Sequence, residues 1–251
     1  MKILVVLKQI PDHGTWEEYQ DAGILNDSDK NVLKEALDLR EAVGGYVDVM
    51  ALGPTEGEDV LKEALTFGID RAILVADPVY EGLDIRGAGK ILGTAIRKLG
   101  PYDLILCGRQ ALDGDSAHMA AMIAGNAHLP LLPYTKEIRI QESTLTARCS
   151  GDQEDSYMEC EMPVMALSIR EQNQNRYPLV SDILKTYNGE YQVERICDQE
   201  LKAEVENAKV KKIRTYMPVF EKKHQLKMLD GRTEEERADQ ILHVLRKLNF
   251  L

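Results

Sequence analysis

The sequence predicts an α/β fold: a parallel sheet with helices on both faces, followed by a C-terminal arm that ends in a helix. Three observations carry this. Short β-rich runs alternate with amphipathic segments through the first half of the chain. The runs are continuous in Val, Ile, Leu and Tyr rather than alternating, the pattern of strands buried on both faces. From about residue 191 the chain turns charged and poorly periodic until one last amphipathic stretch.

Residues 2 to 7, 46 to 52, 71 to 76 and 102 to 107 read as the strands. Between them the helical spacing of Val32, Ala36, Leu39 and Val43, of Val60, Leu61, Ala64 and Leu65, and of Ala88, Ile91, Leu92, Ala95 and Leu99 marks three helices with one apolar face each. Thr55 with Glu58 suggests a capping box, and Gly68 stands where a left-handed C-terminal cap belongs. The order βαβαβαβα implies right-handed crossovers and a parallel sheet. From about residue 134 the pieces KEIRI, TLTARC and VMALSI either extend that sheet or form an antiparallel addition. At the far end Thr233 and Glu236 form a capping box, and Ala238, Ile241, Leu242, Leu245 and Leu248 draw one apolar stripe. The expected division is therefore residues 1–190 as the α/β domain and 191–251 as an arm whose helix packs on another subunit. The competing reading folds that helix back on its own domain.

With 251 residues, 44% of them hydrophobic, the chain is long enough to bury a full core. The formal charge of -11 argues against a general nucleic-acid binder, because phosphates call for a basic stripe. The basic cluster Lys209, Lys211, Lys212 and Arg214 is equally a solvated edge or a subunit contact. No apolar run reaches the roughly 18 residues of a membrane span, and KILVVLKQIPD reads as a first buried strand rather than a leader. Cys107, Cys149, Cys160 and Cys197 form no CxxC pair, which favours reduced thiols in the cytoplasm. The histidines at 13, 118, 128, 224 and 243 do not cluster with carboxylates, so no metal site is expected.

Parallel α/β sheets bind ligands at the carboxyl ends of their strands, which directs attention to the loops beginning at Gln9, Gly53 and Gly108. The third is the most informative. It runs CGRQALDGDSAHMAAMIAG from Cys107: a buried strand, two glycines, carboxylates at Asp113 and Asp115, and Ser116 heading an Ala-rich helix. Free N–H groups at a helix start suit a phosphate or diphosphate, and Gly108 and Gly114 permit close backbone approach. The same residues also make an ordinary capped turn. Neither GxGxxG nor GxxxxGK[ST] is present. A hydrolase would pair Asp113 or Asp115 with His118, yet no GxSxG elbow accompanies them, and His118 beside Met119 and Met122 reads as a pocket wall.

Several segments in the right order resemble the electron-transferring flavoprotein beta-subunit family: KILVVLKQIPD, LNDSDKNVLKEALDLRE, ALGPTEGEDVLKEAL, GRQALDGDSA and EQNQNRYP. Departures are Asp27 and Asn175 where that family has Pro, Ala120 where it has Gly, and Glu206, Asn207 and Ala208 where it has Ser-Pro-Thr. The resemblance implies a Rossmann-like adenine-nucleotide-binding domain without catalytic side chains. By position, Val6 and Leu52 would flank the adenine, Asn26 and Asp29 would lie near the adenosine, and Cys107, Gly108, Arg109, Gln110, Asp113, Gly114, Asp115, Ser116, Ala117, His118 and Met119 would hold the phosphates. The nucleotide is FAD in flavin-bifurcating relatives, which take electrons from NADH, and AMP in others; DGDSA favours FAD. The resemblance further implies a heterodimer with an alpha subunit, with Tyr177, Leu179 and Val180 docking an acyl-CoA dehydrogenase or similar flavoenzyme. A second class of function is a stand-alone adenine-nucleotide module of the universal-stress type, which needs no partner.

Overall fold

The computed structural model describes residues 1–11, 23–53, 57–80, 83–109, 118–169, 176–197, 199–205, 231, 233–248 and 250. The chain divides into two compact units, Met1–Lys212 and Ile213–Leu251.

In the first unit, β1 (Lys2–Leu7), β4 (Tyr46–Gly53), β5 (Arg71–Ala76) and β6 (Leu104–Gly108) form the parallel centre of a nine-stranded sheet. β10 (Val164–Ser168), β7 (Leu131–Gln141) and β11 (Val193–Ile196) continue it, and the strand order is β11-β5-β4-β1-β6-β10-β7-β8-β9. β8 (Thr144–Cys149) and β9 (Ser156–Glu161) pair antiparallel at one edge. The late β pieces thus do both things the sequence allowed: VMALSI inserts in the parallel sheet, whereas KEIRI and TLTARC form a hairpin. A separate ribbon pairs β2 (Gln9–Pro11) with β3 (Gly23–Leu25).

The continuous apolar runs have a direct cause. Successive strand residues point to opposite faces, and here both faces are covered. Ile3, Val5, Val49 and Leu74 meet α1 (Asp27–Val43) and α2 (Asp59–Leu65) through Val32, Leu33, Leu37, Val60 and Leu61. Leu4, Val6, Met50, Ile73 and Ile105 meet α3 (Ile85–Leu99) and α4 (Met119–Ala127) through Ile91, Leu92, Ala95, Ile123 and Ala124. α3 and α4 pack closely because α3 carries glycines on the shared face. A Cβ on Gly93 would fall 2.7 Å from the Cβ of Asn126 and 3.0 Å from the backbone nitrogen of Ala127.

Some local expectations shift. The buried stripe of α1 is Val32, Leu33, Ala36 and Leu37, while Val43, at the end of the helix, is exposed. Thr55 lies outside the described residues, and Glu58 immediately precedes α2 instead of entering its first turn, pairing with Lys62 at 3.3 Å and Arg195 at 2.6 Å. Gly68 adopts φ +83°, as its predicted capping role requires. The sheet also takes in residues that the sequence reading gave to the arm. β11 runs parallel to β5, tied by Arg71 to Glu194 at 2.8 Å, and α6 (Gln199–Val205) buries Leu201 completely. A four-residue edge strand has only two partly buried positions, Val193 and Ile196, too few to make a period. In the second unit α7 (Glu234–Lys247) begins as predicted, the Thr233 hydroxyl accepting the Glu236 N–H at 3.2 Å.

Candidate functional site

In the sheet order, β1 lies between β4, reached through α1, and β6, reached from β5 through α3. The winding therefore reverses direction between β1 and β6, and the diverging connections leave a crevice at the carboxyl ends of the strands. A cavity of about 340 Å³ opens there, a size within the range of small-molecule sites. Val6 and Cys107 are register partners on β1 and β6, and both reach it. So do Leu52 and Gly53 from β4, Asn26 and Asp29 from the start of α1, Gly108 and Arg109 after β6, and Met119 from α4.

Eight of the site residues expected from sequence thus surround one cavity: Val6, Asn26, Asp29, Leu52, Cys107, Gly108, Arg109 and Met119. His118 caps α4 at an exposed position and is not among the lining residues. Gln110, Asp113, Gly114, Asp115, Ser116 and Ala117 lie outside the described residues. The wall that sequence reasoning did not foresee follows β5: Tyr80, Leu83, Asp84, Ile85, Ala88 and Leu92, from a 3-10 turn at Pro78–Tyr80 and the first half of α3. The usable signal was Asp84, an N-cap residue directly before a helical run.

The charged groups are arranged with purpose. Asp29, only 3% exposed, accepts the backbone N–H of Lys8 at 2.7 Å, tying the end of β1 to the start of α1. Burial pushes its carboxyl up to about 7, against hydrogen bonds from Lys8, Asn26 and Ser28 that favour the ionised form. Gly108 is required by this packing, since a Cβ there would run into the Asp29 carboxylate and fall 2.8 Å from the Ser28 hydroxyl. Burial, and secondarily the Asp29 charge, raises the Cys107 thiol well above the usual range, so it stays protonated and is a poor nucleophile. Two cations stand at the cavity: Lys8 after β1, and Arg109 after β6 with its guanidinium 5.9 Å from the Tyr134 ring centroid. This is a cradle for binding. No nucleophile and base come together at the cavity among the described residues, and none of these residues form a metal-binding cluster.

The segment expected to dock a partner enters α5 (Val180–Tyr187). Tyr177, Leu179 and Val180 are 79%, 66% and 72% exposed, and Leu184 and Tyr187 continue the exposed apolar surface. The alternative, that Leu179, Val180, Ile183 and Leu184 form a core face, fits only the partly buried Ile183. No helix among the described residues is long and apolar enough to cross a membrane.

Comparison with known proteins agrees with this geometry. The electron transfer flavoprotein domain matches residues 14–212. The chain is 37% identical over 75% of its length, and 75% of the relative's, to the electron transfer flavoprotein subunit beta of Thermoanaerobacterium thermosaccharolyticum. It is 34% identical over 76% of each chain to the subunit of the same name in Clostridium acetobutylicum. Identity is also 34% over 74% of this chain and 75% of the relative for the caffeyl-CoA reductase-Etf complex subunit CarD of Acetobacterium woodii. With strand order, strand-end cavity and family match in agreement, the chain belongs to the electron transfer flavoprotein family, as a relative of its beta subunits.

Proposed function

We propose that the chain is the small subunit of a heterodimeric electron transfer flavoprotein and that it holds an adenine nucleotide, FAD in preference to AMP, in the cavity at the carboxyl ends of β1, β4 and β6. The observation that carries this reading is the cavity itself: apolar walls at Val6, Leu52, Ala88 and Leu92, and cations at Lys8 and Arg109. A purine face requires the first and phosphates the second. The residues fit the group. Val6 and Leu52 would flank the base, Asn26 would face the ribose, Lys8 and Arg109 would offset phosphate charge, and Asp29 would hold the strand-end loops in register.

When bound as FAD, the group supplies reversible hydride and one-electron chemistry; the protein supplies position and electrostatics. Cys107, protonated and buried, offers no competing thiolate, and the apolar wall of α3 excludes water from the base. Residues 213–251 act as the arm that packs on the alpha subunit, and Tyr177, Leu179 and Val180 dock the flavoenzyme that exchanges electrons with the pair. NADH is the donor if the pair bifurcates, and the compartment is the cytoplasm. Nucleotide release from the denatured heterodimer tests the FAD assignment. Two FAD per pair is expected; one FAD and one AMP would replace FAD by AMP here and remove NADH-driven bifurcation from the reading.

A further inference from the structure

We propose that Asp84 selects the base of the bound nucleotide, its Oδ2 atom accepting a hydrogen bond from the exocyclic amine of adenine; the inference rests on the nucleotide reading of the cavity. Asp84 is the N-cap of α3, and its Oδ1 accepts the Gly87 N–H at 2.7 Å. That bond holds the carboxylate in one orientation. The other oxygen, Oδ2, is buried and has no hydrogen-bond partner among the described residues, while Asp84 itself lines the cavity. A buried carboxylate oxygen without a donor is costly, so such an atom at a cavity wall marks where a donor on a ligand belongs.

The surroundings say which donor. Leu83, Ile85, Ala88 and Leu92 flank Asp84 on the same wall, with Tyr80 beside them, so the acceptor is set in a largely apolar strip. A ribose hydroxyl has no need of such a strip, whereas the flat face of a purine does. The arrangement across the strand ends gives the direction. In the order β5-β4-β1-β6, Asp84 follows β5, Lys8 follows β1 and Arg109 follows β6. The acceptor is at one end of the crevice and the cations are at the other. A nucleotide laid across the strand ends with its phosphates toward Lys8 and Arg109 therefore turns its base toward Asp84. At position 6 of the purine, adenine presents an amine. Hypoxanthine and guanine present a carbonyl there, which would set acceptor against acceptor. Asp84 is thus a specificity-determining residue, acting through contact with the base.

The test is calorimetric titration of the purified heterodimer, its small subunit stripped of nucleotide, with AMP and with IMP. The wild-type pair should favour AMP roughly ten- to hundredfold, the worth of one buried hydrogen bond made against one refused. Asp84→Asn keeps a good N-cap while placing an amide N–H group where Oδ2 stood. It should lower the AMP-to-IMP preference at least tenfold, toward or past parity, with little change in melting temperature. Asp84→Ala should also lose the preference. Equal weakening of both nucleotides by Asp84→Asn, or an unchanged preference, overturns the proposal and leaves the nucleotide site standing. A wild-type pair whose small subunit binds AMP and IMP equally overturns it too. A wild-type small subunit that binds neither AMP nor FAD removes the nucleotide reading and this inference together.

Discussion

Asp29 shows how a single side chain can organise a site without performing chemistry in it. Its carboxylate receives the Lys8 N–H, is backed by Asn26 and Ser28, and sits so close to Gly108 that no larger residue fits there. Three loops meet on one buried acid. The folded chain holds the Asp29 proton up to about pH 7, whereas an unfolded aspartate releases it near 3.8. The native state therefore binds more protons between those values, and stability falls as pH rises from about 4 to about 7, then levels off. The contribution is on the order of 4 kcal/mol at most. Asp29→Asn, neutral throughout and of the same shape, should flatten the profile of denaturant stability across that window in the nucleotide-free chain and raise stability above pH 7. An unchanged profile would show that the carboxyl is ionised throughout. The strands that carry Val6, Leu52 and Cys107 were legible in sequence as apolar runs, and the resemblance, by position, made these residues part of the site. Asp84 was not, because an acid before a helix looks the same whether its second oxygen faces water or a cavity.

Among the elements, strands with two covered faces and helices with one apolar stripe announced themselves, and β1, β4, β5 and β6 agree with the sequence reading to within two residues. What escaped were short edge elements. β11 has only two partly buried positions, and α6 contributes a single fully buried apolar residue, Leu201, so neither makes a period. α5 poses the opposite problem: its apolar residues have helical spacing, yet Thr186 is its buried residue while Val180 and Leu184 face outward. Helical spacing alone does not say which face is covered. An exposed apolar cluster of this kind suits a docking surface. Val180→Asp should therefore slow electron transfer to the partner flavoenzyme at least tenfold while leaving nucleotide content and melting temperature unchanged. Loss of nucleotide or of folding would assign Val180 to the interior instead.

At the scale of the whole molecule, the family match and the compact unit end at the same place, residue 212. Beyond it α7 carries Ile241 and Leu242, which are 47% and 40% exposed, and is capped by Leu248, 59% exposed, with no buried residue in the helix. The capping box made that helix legible; what it packs on cannot be written in its own periodicity, because an apolar stripe has the same spacing whether its cover is the same chain or another. In the proposed function this chain is a subunit whose arm packs against a larger flavoprotein chain, and copurification tests that pairing. The full-length chain coexpressed with an electron transfer flavoprotein alpha subunit should elute as a one-to-one pair with a flavin spectrum, and deletion of residues 213–251 should abolish the pair. A chain that is monomeric, stable and nucleotide-loaded without any partner would rule out this subunit role.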